Sequence, residues 1–280
     1  EACIKNKIKE MFLASSSEVY QTPIKIPTDE KEMLKIPDVY NPRYSYGGGK
    51  ILTELMGINY GKKYFKKMII FRPHNVYGQD MGNEHVIPEF INKMLNQNSK
   101  KIKLNIKGTG QEVRSFIYID DFIRAFDLIF STIGILILSP VFLIVAIIIK
   151  IDSKGPIYFR QDRVGKNNKV FQIHKFRTME INSESLGKLN IGEEKRKTNF
   201  GRWIRKNKKD ELPQLIDVLY GKMSIVGPRP ELKEYVDTYP EDIKKKILSV
   251  KPGITDYASI TMADESLLLA SHKNPQEAYI

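Results

Sequence analysis

Cys3 is the lone cysteine in 280 residues. That excludes an internal disulfide framework and fits a reducing compartment. No charged stretch followed by a short apolar core opens the chain, so no signal peptide is visible. A sequence that begins with Glu1 rather than Met is expected to be part of a longer one. There is no base-reading motif and no aromatic ladder interleaved with basic residues. Nucleic acid is therefore not the expected partner, in spite of a net charge of +12. No internal repeat is evident. Charge does not mark a boundary either: 20 Lys and Arg stand against 14 Asp and Glu before Phe126, and 25 against 19 from there on, a net +6 on each side. The positive excess suits anionic lipid or phosphorylated substrates. A hydrophobic content of 41% is enough for a sizeable core.

Strand and helix signals alternate in the first part. Residues 11–20 (MFLASSSEVY) read as a buried strand running into a polar turn. A Pro- and charge-rich loop spans Thr22 to Pro42. Tyr46 to about Tyr60 has helical spacing, with Ile51, Leu52, Leu55 and Ile58 on one side. Lys67 to Phe71 is a short apolar strand closed by the turn RPHNVYG. His85 to Leu95 is an amphipathic helix, Ser115 to Ile119 a strand, and Asp120 opens a helix. This alternation argues for an α/β sheet.

The pattern changes at Leu128. From there to Ile149 the chain carries no charged residue. Such a run is long enough to cross a hydrocarbon core, which needs roughly 20 apolar residues. Ser139-Pro140 sits in its middle. Proline removes a helical N–H, so a break is expected there, with Ser139 satisfying the freed carbonyl. Lys150, Lys154, Arg160 and Arg163 follow, as on a cytoplasmic flank. Both flanking segments look like domains that use cytosolic nucleotide substrates. A helix that enters one leaflet and returns keeps both on that side. Short strands at 157–159 and 171–173, a basic loop from Lys188 to Lys209, and helices near Leu212–Leu219 and Glu241–Leu248 follow.

The stretches AFDLIFSTIGILILSPVFLIVAIIIKIDSKGPIYFRQDRVGKN, KFRTM at 175–179, DELPQLIDVLYGKMSIVGPRPEL at 210–232 and VKPGITDYASI at 250–260 stand in order. In them the chain from about Arg124 to Ile280 resembles the monotopic polyprenyl-phosphate phosphoglycosyl transferases. The resemblance implies transfer of a sugar 1-phosphate from a UDP-sugar to polyprenyl (undecaprenyl) phosphate, initiating bacterial surface polysaccharide synthesis. It implies Mg2+ and a covalent Asp-phosphosugar intermediate. It places the protein on the cytoplasmic face of the bacterial inner membrane, in contact with membrane lipids. By the same resemblance Asp210 is the nucleophile and Glu211 helps hold the metal. Pro213 suits the first turn of a helix, which would set Asp210 near its N-cap and Glu211 in its first turn. Gly227-Pro228-Arg229-Pro230 is a rigid turn presenting one arginine, and the resemblance implies that Arg229 contacts a substrate phosphate. Lys175, Arg177, Arg160 and Arg163 are further phosphate-binding candidates. Asn207-Lys208-Lys209 departs from the small and apolar residues usual before the acidic pair, and the chain stops at Ile280, short of the usual family end.

SSSEVY at 15–20, YSYGGGK at 44–50, RPHNVYG at 72–78 and RSFIYIDD at 114–121 make residues 11–126 resemble extended short-chain dehydrogenase/reductases, the NAD-dependent nucleotide-sugar epimerases and dehydratases. Tyr46 and Lys50 lie one helical turn apart. A lysine ammonium there lowers the tyrosine pKa and suits proton transfer from a sugar hydroxyl. Ser16 matches the position that binds the same hydroxyl, and Arg114 one that meets nucleotide phosphates. That family holds NAD with a Gly-rich loop after its first strand. No such loop precedes Ser16, and Gln21 replaces the usual glycine after VY, so NAD is not an expected cofactor of this chain.

The sequence thus predicts an α/β chain. Residues 1–125 form a partial Rossmann-like segment. A re-entrant membrane helix over about 128–149 and a small α+β monotopic transferase domain make up 126–280. The rival readings are a membrane-anchored nucleotide-sugar epimerase or dehydratase, and an inactive fusion acting as a scaffold. Homo-oligomerisation stays open.

Overall fold

The computed structural model describes residues 6, 8–96, 110, 114–180 and 197–256. Cys3, the basic loop up to residue 196 and the end of the 250–260 motif lie outside the described residues. The chain divides into two compact units between Phe122 and Ile123.

In the first unit β1 (Glu10–Ala14) pairs in parallel with β2 (Lys67–Phe71), from Glu10 opposite Lys67 to Ala14 opposite Phe71. The helix α1 (Ser45–Tyr64) lies between them in sequence. Likewise β3 (Asn75–Tyr77) and β4 (Phe116–Tyr118) are parallel, with α2 (Val86–Leu95) in between. Parallel strands need such helical crossovers, and the two βαβ arrangements account for the alternation in the sequence. Two details differ from expectation. β1 is not buried throughout, since Phe12 is 48% exposed. In α1 the apolar residues Leu52, Leu55 and Ile58 face out, and the buried positions are Gly47, Glu54 and Gly61. The reason is a buried ion pair. Arg72, just after β2, grips the Glu54 carboxylate with two hydrogen bonds of 2.8 and 2.6 Å and donates to the Tyr20 hydroxyl at 2.5 Å. Burial pushes the Glu54 pKa up, but the Arg72 guanidinium outweighs it and holds the carboxyl below its usual range.

The second unit is built on α3 (Ile119–Asp152), whose first turn belongs to the first unit by contact. Its apolar stretch of 22 residues runs about 33 Å. Only 11% of its most apolar window is buried, whereas a helix in a soluble core would be mostly covered. Ile133, Leu136, Ile137, Leu143, Ile144 and Ile147 are all exposed, a surface suited to lipid. The expected break at Ser139-Pro140 is not present as an end of the helix, which continues through both residues. Pro140 has no N–H to offer the Leu136 carbonyl, and the Ser139 hydroxyl donates to that carbonyl at 2.9 Å instead.

Both ends of α3 are fastened. Near its start the fully buried Asp127 accepts hydrogen bonds from the Ser224 hydroxyl (3.0 Å) and the Ile225 N–H (2.9 Å). Near its end Val145 and Ile149 pack with Phe176 and Ile204. The antiparallel hairpin of β5 (Tyr158–Val164) and β6 (Val170–Phe176) follows. It is longer than the two short strands expected there. Next come α4 (Asn199–Lys206), α5 (Gln214–Leu219), β7 (Ser224–Val226), α6 (Lys233–Val236), α7 (Glu241–Ile247) and β8 (Gly253–Thr255), with β7 and β8 parallel. A second core joins Ile173, Val218 and Met223.

Arg177 settles how α3 ends. The last turn of a helix leaves carbonyls without internal partners. The buried Arg177 guanidinium donates to the carbonyl of Ile149 in that turn (3.4 Å) and to those of Ser153 (2.7 Å) and Lys154 just past it. Arg177→Ala is expected to lower stability by about 3 kcal/mol or more, because buried acceptors lose charged donors. Thermal melting of the detergent-purified protein measures this. Arg177→Lys keeps the charge but not the fork and should recover only part of the loss. Unchanged melting of Arg177→Ala would exclude the cap.

Candidate functional site

The alternation of side chains along β6 sorts its residues. His174 points to one face, where its Nδ1 and backbone N–H each lie 2.8 Å from the fully buried Asp217 carboxylate of α5. Lys175 points to the other face. This pairing lays β6 beside α5 and brings Lys175 to the residues just ahead of that helix. Its ammonium donates to Glu211 Oε1 at 2.7 Å.

The acidic pair sits one step earlier than expected. Asp210 and Glu211 belong to a 3-10 turn over Lys209–Glu211, entered through Lys208 in the left-handed conformation (φ 51°). Pro213 is the N-cap of α5. The two carboxylates therefore precede that helix instead of occupying its N-cap and first turn, and a six-residue helix offers a small dipole. Their surroundings matter more. Asp210 is buried, which pushes its pKa above the usual carboxylate range, against the pull of Lys175. Glu211 is also desolvated, but Lys175 and Arg229 together hold it below its ordinary value. Burial lowers the Lys175 pKa, with Glu211 opposing.

Arg229 arrives on the Gly227–Pro230 turn. That turn is stapled to β8: the Gly227 N–H donates to the Thr255 carbonyl (3.1 Å) and the Gly253 N–H to the Pro228 carbonyl (2.9 Å). The two glycines touch backbone to backbone, and a Cβ on Gly253 would lie 2.0 Å from the Gly227 nitrogen. Arg163, at the end of β5, donates to the Pro230 carbonyl (3.1 Å) and to Gln161 Oε1 (2.8 Å) and lies 3.5 Å from the Glu231 carboxylate. Arg229 lies 3.7 Å from Glu211 and 3.9 Å from Glu231. The result is a narrow cleft lined by Arg163, Lys175, Glu211, Gln214, Arg229 and Pro230, with Ile173, Gly253 and Ile254 as its walls. Its free space is only about 10 Å3, because cations and carboxylate close on one another.

The structure thus brings together Asp210, Glu211, Lys175, Arg163, Arg229 and Pro230. It does not bring Arg177, which is spent on carbonyls at and just past the end of α3. Nor does it bring Arg160, which stands opposite His174 on β5, exposed on the other face of the hairpin. The arrangement suits an anion: three cations can bind phosphate oxygens while a buried carboxylate stands beside them. Sequence reasoning passed over Asp127, His174 and Asp217. Two of these are acids within otherwise apolar helical runs (FDLIF, LIDVL), and that isolation is the signal available for them.

In the first unit Tyr46 and Lys50 are together. The Lys50 ammonium lies 5.7 Å from the Tyr46 ring centroid and donates to the Ala14 carbonyl at 3.0 Å. The Ser16 hydroxyl accepts from the Glu18 N–H at 3.2 Å, and Arg114 pairs with Glu18. Gln21 adopts φ 54°, a conformation that favours glycine.

Residues 119–279 match the family model described as bacterial sugar transferase, and residues 1–134 that of the NAD dependent epimerase/dehydratase family. The UDP-N-acetylgalactosamine-undecaprenyl-phosphate N-acetylgalactosaminephosphotransferase of Aeromonas hydrophila is 42% identical over 140 residues, 49% of this chain and 33% of its own. The exopolysaccharide production protein PSS of Rhizobium leguminosarum bv. phaseoli is 44% identical over 146 residues, 49% of this chain and 72% of its own. A solved UDP-N-acetylglucosamine 4-epimerase from Methanobrevibacter ruminantium M1 aligns with 43% of this chain and 37% of its own at 29% identity and a TM-score of 0.36. The chain spans about a third or less of the length of the first curated relatives it matches.

The electrostatics give a titration. Lys175 lowers the pKa of both carboxylates, so Lys175→Met is expected to raise the pH at which Asp210 and Glu211 ionise. Asp210, already displaced upward by burial, should stay protonated to the higher pH of the two. NMR of carboxyl-labelled protein measures both transitions, and unmoved transitions would exclude the coupling.

Proposed function

Because the chain belongs to the bacterial sugar transferase family, we propose that it moves a sugar 1-phosphate from a UDP-sugar to polyprenyl phosphate, of the undecaprenyl kind, at the start of a surface glycan. The observation that carries this reading is the buried Asp210 beside a cleft whose cations are Lys175, Arg163 and Arg229. An ionised Asp210 oxygen attacks the phosphorus that bears the sugar. The P–O bond to the nucleoside monophosphate breaks, and the leaving group takes the electron pair. An acyl phosphate remains on Asp210. An oxygen of polyprenyl phosphate then attacks the same phosphorus, and the bond to the Asp210 oxygen breaks, which returns the carboxylate. Arg229 and Lys175 offset phosphate charge in both steps. Substrate phosphates would compete with Glu211 for these cations and open the cleft.

Magnesium fits this site in one mode. Among the described residues no group of three His, Cys, Asp or Glu stands close enough to cage a metal. Mg2+ is commonly held by one or two carboxylates plus substrate phosphates, and Glu211 with Asp210 offers that donor set. Bound there, the ion would neutralise phosphate charge.

What supports the membrane placement is α3. Asp127 near its start is bonded to Ser224 and Ile225, and Ile149 near its end to Arg177, all in the second unit. A helix whose two ends serve one folded unit suits entry and exit on the same side, the cytoplasmic face of the inner membrane. Cysteines introduced near position 120 should then resist membrane-impermeant thiol reagents added outside intact cells. Labelling there would sink the topology.

The activity is tested by UMP release from a panel of UDP-sugars, with polyprenyl phosphate and magnesium present in detergent. Asp210→Asn should reduce release at least about 10³-fold, as for other lost nucleophiles. Release that survives in Asp210→Asn would overturn Asp210 as the nucleophile, and a folded wild-type protein that releases no UMP would overturn the activity.

A further inference from the structure

A second cavity, of about 270 Å3, lies along the same three segments that line the phosphate cleft. β5 and its end contribute Arg163 to the cleft and Val164 and Gly165 to the cavity. The turn at 228–231 gives Arg229 and Pro230 to the cleft, and Pro228, Arg229 and Glu231 to the cavity. The β8 segment gives Gly253 and Ile254 to one, Pro252 and Asp256 to the other. Arg229 is shared. Val236, Tyr239, Ile247, Leu248 and Val250, from α6, α7 and the residues beside them, complete the cavity.

The chemistry of the two spaces differs. The cleft is cationic. The cavity has apolar walls, one aromatic ring and two carboxylates, Glu231 and Asp256. Carboxylates repel a phosphate but accept hydrogen bonds from hydroxyls. An aromatic ring beside aliphatic and proline side chains offers a face to a flat heterocycle. Tyr239 is half-buried there, and burial together with the Glu231 charge pushes its pKa up, so its hydroxyl stays protonated as a donor. Its volume of about 270 Å3 lies near the lower end of the sizes usual for ligand pockets, about 300 to 1,000 Å3.

We propose that this cavity is the nucleoside subsite: the base lies against Tyr239, the ribose hydroxyls face Glu231 and Asp256, and the phosphates pass over Arg229 into the cleft. This rests on the nucleotide-sugar reading above and locates its leaving group. It gives Arg229 two tasks, since it stands where the departing nucleoside monophosphate meets the transferred phosphoryl group.

The test is equilibrium binding, which needs no turnover. Calorimetry measures UMP and inorganic phosphate separately on the full chain in detergent. Wild type is expected to bind UMP at least tenfold tighter than phosphate. Val250→Trp fills the mouth of the cavity from a half-exposed position, and Tyr239→Ala removes the ring. Each should weaken UMP at least tenfold and leave phosphate affinity unchanged, with thermal melting confirming the fold. Two results would overturn the subsite: UMP no tighter than phosphate on wild type, or UMP undiminished in either folded variant. The transferase reading fails separately, by absence of UMP release from any UDP-sugar while UMP itself still binds.

Discussion

The Arg177 guanidinium sits where the apolar helix α3 ends, and it takes the carbonyl of Ile149 in the last turn and those of Ser153 and Lys154 just beyond it. Much of the second unit is arranged from that contact. Arg177 follows β6 directly, so fastening it also fixes the strand. Two residues back, Lys175 is then aimed at Glu211, and His174 at Asp217 on the opposite face. The segment that terminates the apolar helix α3 is the segment that supplies the cation at the acidic pair. The other end of α3 repeats the logic. Asp127 holds Ser224 and Ile225 of β7, the strand that leads into the Arg229 turn. Both arms of the site, the lysine and the arginine, are thereby referenced to one helix.

Burial then sets the chemistry. Removing Asp210 and Glu211 from water raises the cost of their charge, and only Glu211 receives enough nearby cation to stay easily ionised. Two adjacent carboxylates thus acquire opposite shifts in ionisation from position alone.

Most of this site was legible in the sequence because it is written in local motifs. Asp-Glu-x-Pro, Gly-Pro-Arg-Pro and the lysine of KFRTM each carry their residue types at fixed spacing. Arg177 was misread because KFRTM shows a basic residue but not its partners, which stand 23 to 28 positions earlier. Arg160 was misread because two arginines three apart in RQDR fall on opposite faces of a strand. The helix α4 was taken for part of a basic loop. Its signal was a capping threonine, Thr198, which accepts from the Gly201 N–H at 3.0 Å, with Phe200, Trp203 and Ile204 at helical spacing behind it. In α1 the apolar residues misled, because the inward face is made of glycines and a carboxylate that only its distant partner, Arg72, explains. The long apolar helix was evident from composition, and at Pro140 the helix assignment continues, with the Ser139 hydroxyl on the carbonyl that proline leaves free.

The strand β6 has a further consequence, for how such a chain can evolve. Its residues alternate between two faces, with Lys175 of one parity, His174 and Phe176 of the other, and Arg177 directly after its end. Substitution at any one of them damages one contact. Insertion or deletion of a single residue within the strand would exchange the faces all at once. The lysine would leave the acidic pair, the imidazole would leave Asp217, and the guanidinium would leave the helix end together. The seven residues of β6 therefore form a stretch where length is constrained more tightly than identity, and drift in this region is confined to changes of side chain that keep the count.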